Sequence, residues 1–240
     1  LRVVLYVFGP KLARECGGAT ILAWMAVLTI LISSLIALNK DNLKARLAFS
    51  TIGQLSYIVL GIAILSPIST TGALYHLVAH AFMKITLFMC AGAIFVTTHK
   101  KNISEMVGLG RRMPITMSAF TLASLGIAGF PFFIGFVSKA NIIMGALQTG
   151  QLLFGATLIV SAILALTYLM PVVLIAFKRE PVNPEFSTYG ESSKMMLVPL
   201  LITATVSVLL GVAPNFGLHL LDLAMSTGEA VFAPAGGVLC

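Results

Sequence analysis

Six apolar stretches, at about 19–38, 47–66, 72–97, 113–147, 152–177 and 195–213, fill most of the 240 residues and hold between them two lysines, two histidines and no carboxylate. The hydrocarbon core of a bilayer is about 30 Å thick and takes about 20 helical residues to cross. In lipid, each segment must pair its own backbone N–H and C=O groups. Runs of this length and polarity therefore have helix as their one available conformation. The expected fold is an all-α, polytopic transmembrane helix bundle. Composition supports this: 58% of residues are hydrophobic and 10% charged, against roughly a quarter charged in soluble domains. The net charge of +7 would suggest nucleic acid in a soluble chain. Here the basic residues sit between the apolar runs, so they report topology, and the expected surroundings are a lipid bilayer with no nucleic-acid partner. Cys16, Cys90 and Cys240 form no CxxC or metal spacing and imply no disulfide framework.

Alternate connections differ sharply in charge. One set holds Lys40, Lys44, Arg46, Lys100, Lys101, Arg111, Arg112, Lys178, Arg179 and Lys194; the other holds only Lys11 and Arg14. Ten against two is a positive-inside signal. It predicts cytoplasmic loops at 39–46, 98–112 and 178–194 and an outer carboxyl tail, in a prokaryotic inner membrane. The chain opens on LRVVLYVF, which reads as the end of an apolar helix with no signal peptide, so a carboxyl-terminal portion of a longer protein is expected. After Pro214, NFGLHLLDLAMSTGEAVF has one apolar face and is expected to lie along the interface.

The fourth stretch does not fit one straight span. Its 35 residues would make about 52 Å of helix. Its centre, SLGIAGFPFFIGFVSK, contains Gly126, Gly129, Pro131 and Gly135. Pro131 removes a donor and crowds the preceding turn, so a break is expected near 129–135. Broken helices at membrane depth are tolerated where they line a polar cavity, and in transporters they mark ion sites. Lys139 follows the break directly.

The third stretch carries His76, His80 and Lys84 at spacings of four and four, so they share one helix stripe with about 40° of drift per step. A cation at mid-bilayer costs roughly 2.5–3.5 kcal/mol even on the lenient insertion scale. All eight carboxylates lie outside the six stretches, which leaves Lys84 and Lys139 as charge sites with His76 and His80 as relays. Lysine held out of water and histidine both exchange protons within reach of physiological pH. His76 and Lys84 are about 12 Å apart along the helix, so water must bridge them. Lys44 and Arg46 open the second span, either as a positive-inside anchor or as a cytoplasmic entry or a charge that couples neighbouring units. Ser50, Thr51, Gln54, Ser56 and Tyr57 follow as hydrogen-bonding groups, most of them expected to pack.

DNLKARLAFSTIGQLSYI, HLVAHAFMKITLFMCAGAI and GFPFFIGFVSK, in this order and spacing, resemble the second half of the proton-translocating antiporter-type subunits. These include membrane-arm subunits of complex I, membrane-bound hydrogenases and Mrp sodium/proton antiporters. HAFMKITLFMCAGAI…GLGRRMP and SKANIIMGALQTGQ are most similar to the D-type component of the Mrp antiporters. Phe49, Phe132 and Ala140 depart from the family's usual Tyr, Pro and Trp. The resemblance implies inverted five-helix repeats, each with one broken helix. Residues 1–18 would end a preceding helix, 19–177 would be the second repeat, broken at about 113–147, and 178–240 would hold a cytoplasmic loop, the last helix and an outer tail. It further implies a proton relay of Lys84, His80 and His76, with Lys139 on the exit side. The implied first repeat, with its Glu–Lys pair, would come from a longer chain or another polypeptide.

The expected function is proton translocation within a multisubunit cation/proton antiporter, alongside other membrane subunits, with sodium as a candidate coupling ion. The rivals are a proton-pumping membrane-arm subunit of a hydrogenase or complex I-like redox complex, and a non-conducting structural subunit. A quinone oxidoreductase needs a carboxylate- or His-lined pocket and fits less well. No haem, flavin, nucleotide or iron–sulfur motif is present, so no cofactor is expected and any redox centre lies in partners.

Overall fold

The computed structural model describes residues 2–178 and 184–233. Arg179 and Glu180 of the third basic loop, and Cys240, lie outside the described residues, as does the side chain of Lys178. The chain is an all-α polytopic membrane bundle, with no strand among the described residues. A π-helical turn, Val3–Phe8, leads into α1 (Gly9–Glu15). The long helices are α2 (Gly18–Leu38), α3 (Leu43–Ala63), α4 (Pro67–Thr98), α8 (Leu152–Lys178) and α9 (Lys194–Val212). Among the described residues, five helices are long and apolar enough to cross a membrane. The remaining apolar stretch is made by two half-length helices, α6 (Pro114–Ala128) and α7 (Ile134–Gln148), after a short α5 (Leu109–Arg112). α10 (Leu220–Phe232) closes the described chain.

α4 is the central mast. Its 32 residues span about 48 Å and pack against α3, α6, α7, α9 and α10. The helix starts at Pro67 rather than near residue 72, because proline suits a first helical position, where its missing N–H has no intrahelical acceptor anyway. The two halves of the broken helix follow α4 in series. Near one end Cys90 Sγ reaches the Thr116 carbonyl; midway, Gly126 abuts Met83; near the other end, Gly145 meets Ser69. Together α6 and α7 run antiparallel to α4 along most of its length.

Close approach at two glycines sets this geometry. A Cβ on Gly72 would sit 2.8 Å from the Ser138 carbonyl, and one on Gly135 would collide with the Gly126 carbonyl. Gly72 thus brings the backbone of α7 against α4 one turn before His76.

The basic loops gather on one face. Asp41 takes two hydrogen bonds from Ser104, and Asn42 pairs with Asn102 as an isolated bridge. Arg112 donates to the Glu185 carbonyl, and Phe186 beside it is buried. Glu191 reaches the start of α6, accepting from the N–H groups of Ile115 and Thr116 and from the Thr116 hydroxyl. A carboxylate there satisfies free helix donors and complements the dipole. At the opposite end, Ala224 and Gly228 of α10 bury against Thr71 and Pro67 of α4.

Candidate functional site: a buried basic file

α3 and α4 face each other with polar stripes. On α3, Arg46, Ser50, Gln54 and Tyr57 are buried; on α4, His76, His80 and Lys84 are buried. Lys84 is 5% exposed and Lys139 4%, so neither reaches an aqueous surface by extending its stem. The antiparallel register is read from two contacts: Lys84 Nζ donates to the Leu47 carbonyl at 3.1 Å, and His76 meets the Tyr57 ring edge-on with centroids 5.5 Å apart. His80 lies between them, its ring 6.3 Å from that of His76.

The helix break delivers the remaining cation. α6 ends at Gly129, whose φ of 87° suits a residue without a Cβ. In a continuous helix the Ile127 carbonyl would accept from residue 131, but that residue is Pro131 and has no N–H. Lys139 Nζ donates to that carbonyl instead. The same ammonium stands 5.0 Å over the Tyr57 ring, within cation–π range. The stem of Lys139 lines a cavity of about 450 Å³ between the break and α8, walled by Pro131, Phe136, Ile143 and Leu158.

Hydrogen bonding assigns the tautomer of His76. The Ser138 hydroxyl donates to the Gly135 carbonyl at 3.0 Å. Its oxygen therefore accepts from His76 Nδ1–H, 2.8 Å away, which leaves the lone pair of a neutral ring on Nε2. The Nε2 atoms of His76 and His80 and Oε1 of Gln54 are buried with no protein partner among the described residues. Buried polar atoms in that state are where ordered water binds.

α8 supports this file from behind. Tyr57 donates to Ser161 at 2.7 Å, and Ser161 continues to Ser34 at 3.4 Å. Tyr168 donates to Ser50 at 2.8 Å. Arg46, counted with the loop cations on sequence grounds, is instead packed inside. It donates to the carbonyls of Leu38, Lys40 and Tyr168, joining the ends of α2 and α3 to α8. A guanidinium with its fork of donors suits that clamp. Lys44 stays on the surface with Nζ over Phe95, apart from the file.

The structure thus brings Lys84, His80, His76 and Lys139 into one interior and places Pro131 as the cause of the lysine's acceptor. Sequence spacing does not single out Ser138, Ser161 or Tyr168; the one available signal is the adjacency of Ser138 to Lys139. Among the described residues the ion pairs are Lys100–Glu105, Arg112–Glu185 and His219–Asp222, none of them in the file. No group of side chains suited to a metal ion is present among the described residues.

The described residues thus form a membrane bundle with one broken helix and a buried file of lysine and histidine. Residues 18–167 match the family described as "NADH:quinone oxidoreductase/Mrp antiporter, TM", and the chain belongs to that family. It is 36% identical over 202 residues to the NADH-quinone oxidoreductase subunit N of Desulforudis audaxviator, covering 80% of this chain and 40% of that protein. It is 31% identical over 225 residues to the F(420)H(2) dehydrogenase subunit L of Methanosarcina mazei, covering 87% and 33%. A chain of the Mrp complex from Dietzia sp. DQ12-45-1b shares the fold, with a TM-score of 0.81 at 24% identity over 96% of this chain and 51% of that one. The chain therefore spans between a third and a half of the length of these proteins.

Proposed function

We propose that this chain is the second repeat, residues 19–177, and last helix of a proton-translocating membrane subunit. Protons pass stepwise between Lys84, His80, His76 and Lys139 with water bridging the gaps. The observation that carries this reading is the pairing of both buried lysines with main-chain carbonyls rather than carboxylates. A lysine fixed by a carboxylate is locked in its charged form, whereas one resting on a carbonyl is free to give up a proton. The histidine nitrogens between them, without a protein partner among the described residues, are available to receive it.

On this reading the basic loops at 39–46, 98–112 and 178–194 face the cytoplasm of a prokaryotic cell, and the protein works beside other membrane subunits. Two finer assignments remain distinct. Similarity to the D-type component of the Mrp antiporters in sequence motifs, and to a chain of an Mrp complex in fold, supports a cation/proton antiporter. The NADH-quinone oxidoreductase and F(420)H(2) dehydrogenase relatives support a redox-driven complex.

The test is proton movement in vesicles holding the assembled complex, wild type against Lys84→Ala. Loss of transport with assembly intact is the expected result. Unchanged transport would leave a non-conducting structural subunit as the better reading. Transport driven by a sodium gradient assigns the antiporter, and transport that requires electron flow assigns the redox complex.

A further inference from the structure

The proton file leaves Lys44 unused, although the sequence singles it out. Lys44 lies at the second position of α3 and lines a cavity of about 290 Å³ with Asn42, Phe95, Lys100, Lys101 and Met106. The Phe95 ring carries two ammonium groups, Lys44 Nζ at 4.8 Å and Lys101 Nζ at 5.2 Å from its centroid. Cation–π attraction holds each lysine there, yet two like charges gathered on one ring repel. Both lysines line the same cavity, and an anion held there relieves that repulsion.

The backbone points the same way. α3 is 21 residues long, and its N-terminus contributes partial positive charge to this cavity. Leu43 N–H is taken by the Lys101 carbonyl and Ala45 N–H by the Asn42 side chain. The N–H of Lys44 donates to no acceptor among the described residues, so it remains available to an oxygen ligand. The nearby carboxylates are already engaged: Glu105 lies 4.0 Å from Lys100 and caps the turn at Asn102, and Asp41 is held by Ser104. Neither lines the cavity.

We propose that this cavity binds a phosphate group, and specifically the headgroup of an anionic glycerophospholipid in the leaflet on the basic face. The site lies where α3 begins and α4 ends, at the boundary between the apolar spans and the basic loops, which is the depth of a lipid phosphate. Juxtamembrane lysines recognise anionic lipid by this electrostatic route. The lining of Phe95, Leu43, Ala91 and Met106 gives the glycerol backbone and upper acyl chain an apolar wall.

The experiment uses the full-length protein in its complex, purified in mild detergent and equilibrated with mixed phosphatidylglycerol and phosphatidylcholine, with bound lipid counted by mass spectrometry. Lys44→Gln with Lys101→Gln is expected to lower the preference for phosphatidylglycerol about twenty-five-fold, roughly five-fold for each lysine. Lys44→Arg, which keeps the charge, and Lys11→Gln, on the opposite face, are expected to retain it. An unchanged preference in the double variant overturns the proposal, as does a loss that Lys11→Gln reproduces. Displacement of bound lipid by inorganic phosphate alone would assign the site to free phosphate and overturn the lipid assignment.

Discussion

Lys84 and Lys139 are both buried and both end on a backbone carbonyl, but they arrive there by different means. Lys84 projects from an unbroken helix onto Leu47, whose carbonyl already accepts from the Thr51 hydroxyl at 2.9 Å. Lys139 takes the carbonyl of Ile127, which Pro131 has deprived of its helical donor. One lysine is an extra ligand on a satisfied group; the other completes a group the fold leaves open. The difference teaches that the helix break is a device for building a specific cation seat, while the intact helix offers Lys84 only a resting place.

The largest effect expected is on transport. Lys84→Met and Lys139→Met each keep the apolar stem and remove the charge, and both should reduce proton movement in vesicles to the level of empty membranes. Stability should separate them. Both variants remove a buried charge, but Lys139→Met also leaves the Ile127 carbonyl without a donor, so it should be less stable than Lys84→Met by about 1–3 kcal/mol, read from the thermal or denaturant unfolding of the full-length protein. Lys84→Met removes a buried charge and leaves Leu47 with its Thr51 partner, so stability should be unchanged or higher. Equal losses in the two variants would break the comparison.

Pro131→Ala sharpens it from the backbone side. Restoring an N–H lets residue 131 compete for the Ile127 carbonyl, and transport is expected to fall about tenfold, the equivalent of roughly 1.4 kcal/mol. Wild-type transport in that variant would show that the proline does not build the seat. The smallest effect expected is from Ser138→Ala, which removes the acceptor of His76 Nδ1–H and costs about 1 kcal/mol. It should also shift the Nδ1 and Nε2 resonances of His76 towards a mixture of tautomers; unchanged resonances would show that Ser138 does not fix the ring.

Much of this architecture is legible in the chain, for particular reasons. The stretches at 19–38 and 152–177 reappear as Gly18–Leu38 and Leu152–Lys178, because bilayer thickness dictates the length of an uncharged helix. The break near 129–135 falls between Ala128 and Ile134, because a proline among glycines has a local steric consequence. The shared stripe of His76, His80 and Lys84 follows from helical periodicity alone. What periodicity does not carry is contact between helices. Tyr57 touches His76 and underlies Lys139, and Ser161 holds Tyr57, only because α3, α4, α7 and α8 converge. Arg46 reads in the sequence as a positive-inside anchor or a functional charge at the mouth of the second span; the carbonyls of Leu38, Lys40 and Tyr168 around it show a clamp that spacing alone does not indicate.

The cap that Glu191 places on α6 bears on how the protein is made. α6 and α7 are 15 residues each, about 22 Å of helix against about 30 Å of hydrocarbon, so neither half is a stable crossing by itself. The carboxylate that secures the start of the pair lies 76 residues beyond Ile115 and is synthesised only after α8 is complete. During synthesis the broken helix must therefore lean on α4 through its glycines while its first turn is still uncapped. The first turn of the pair therefore gains its cap only from chain that follows α8 and precedes α9.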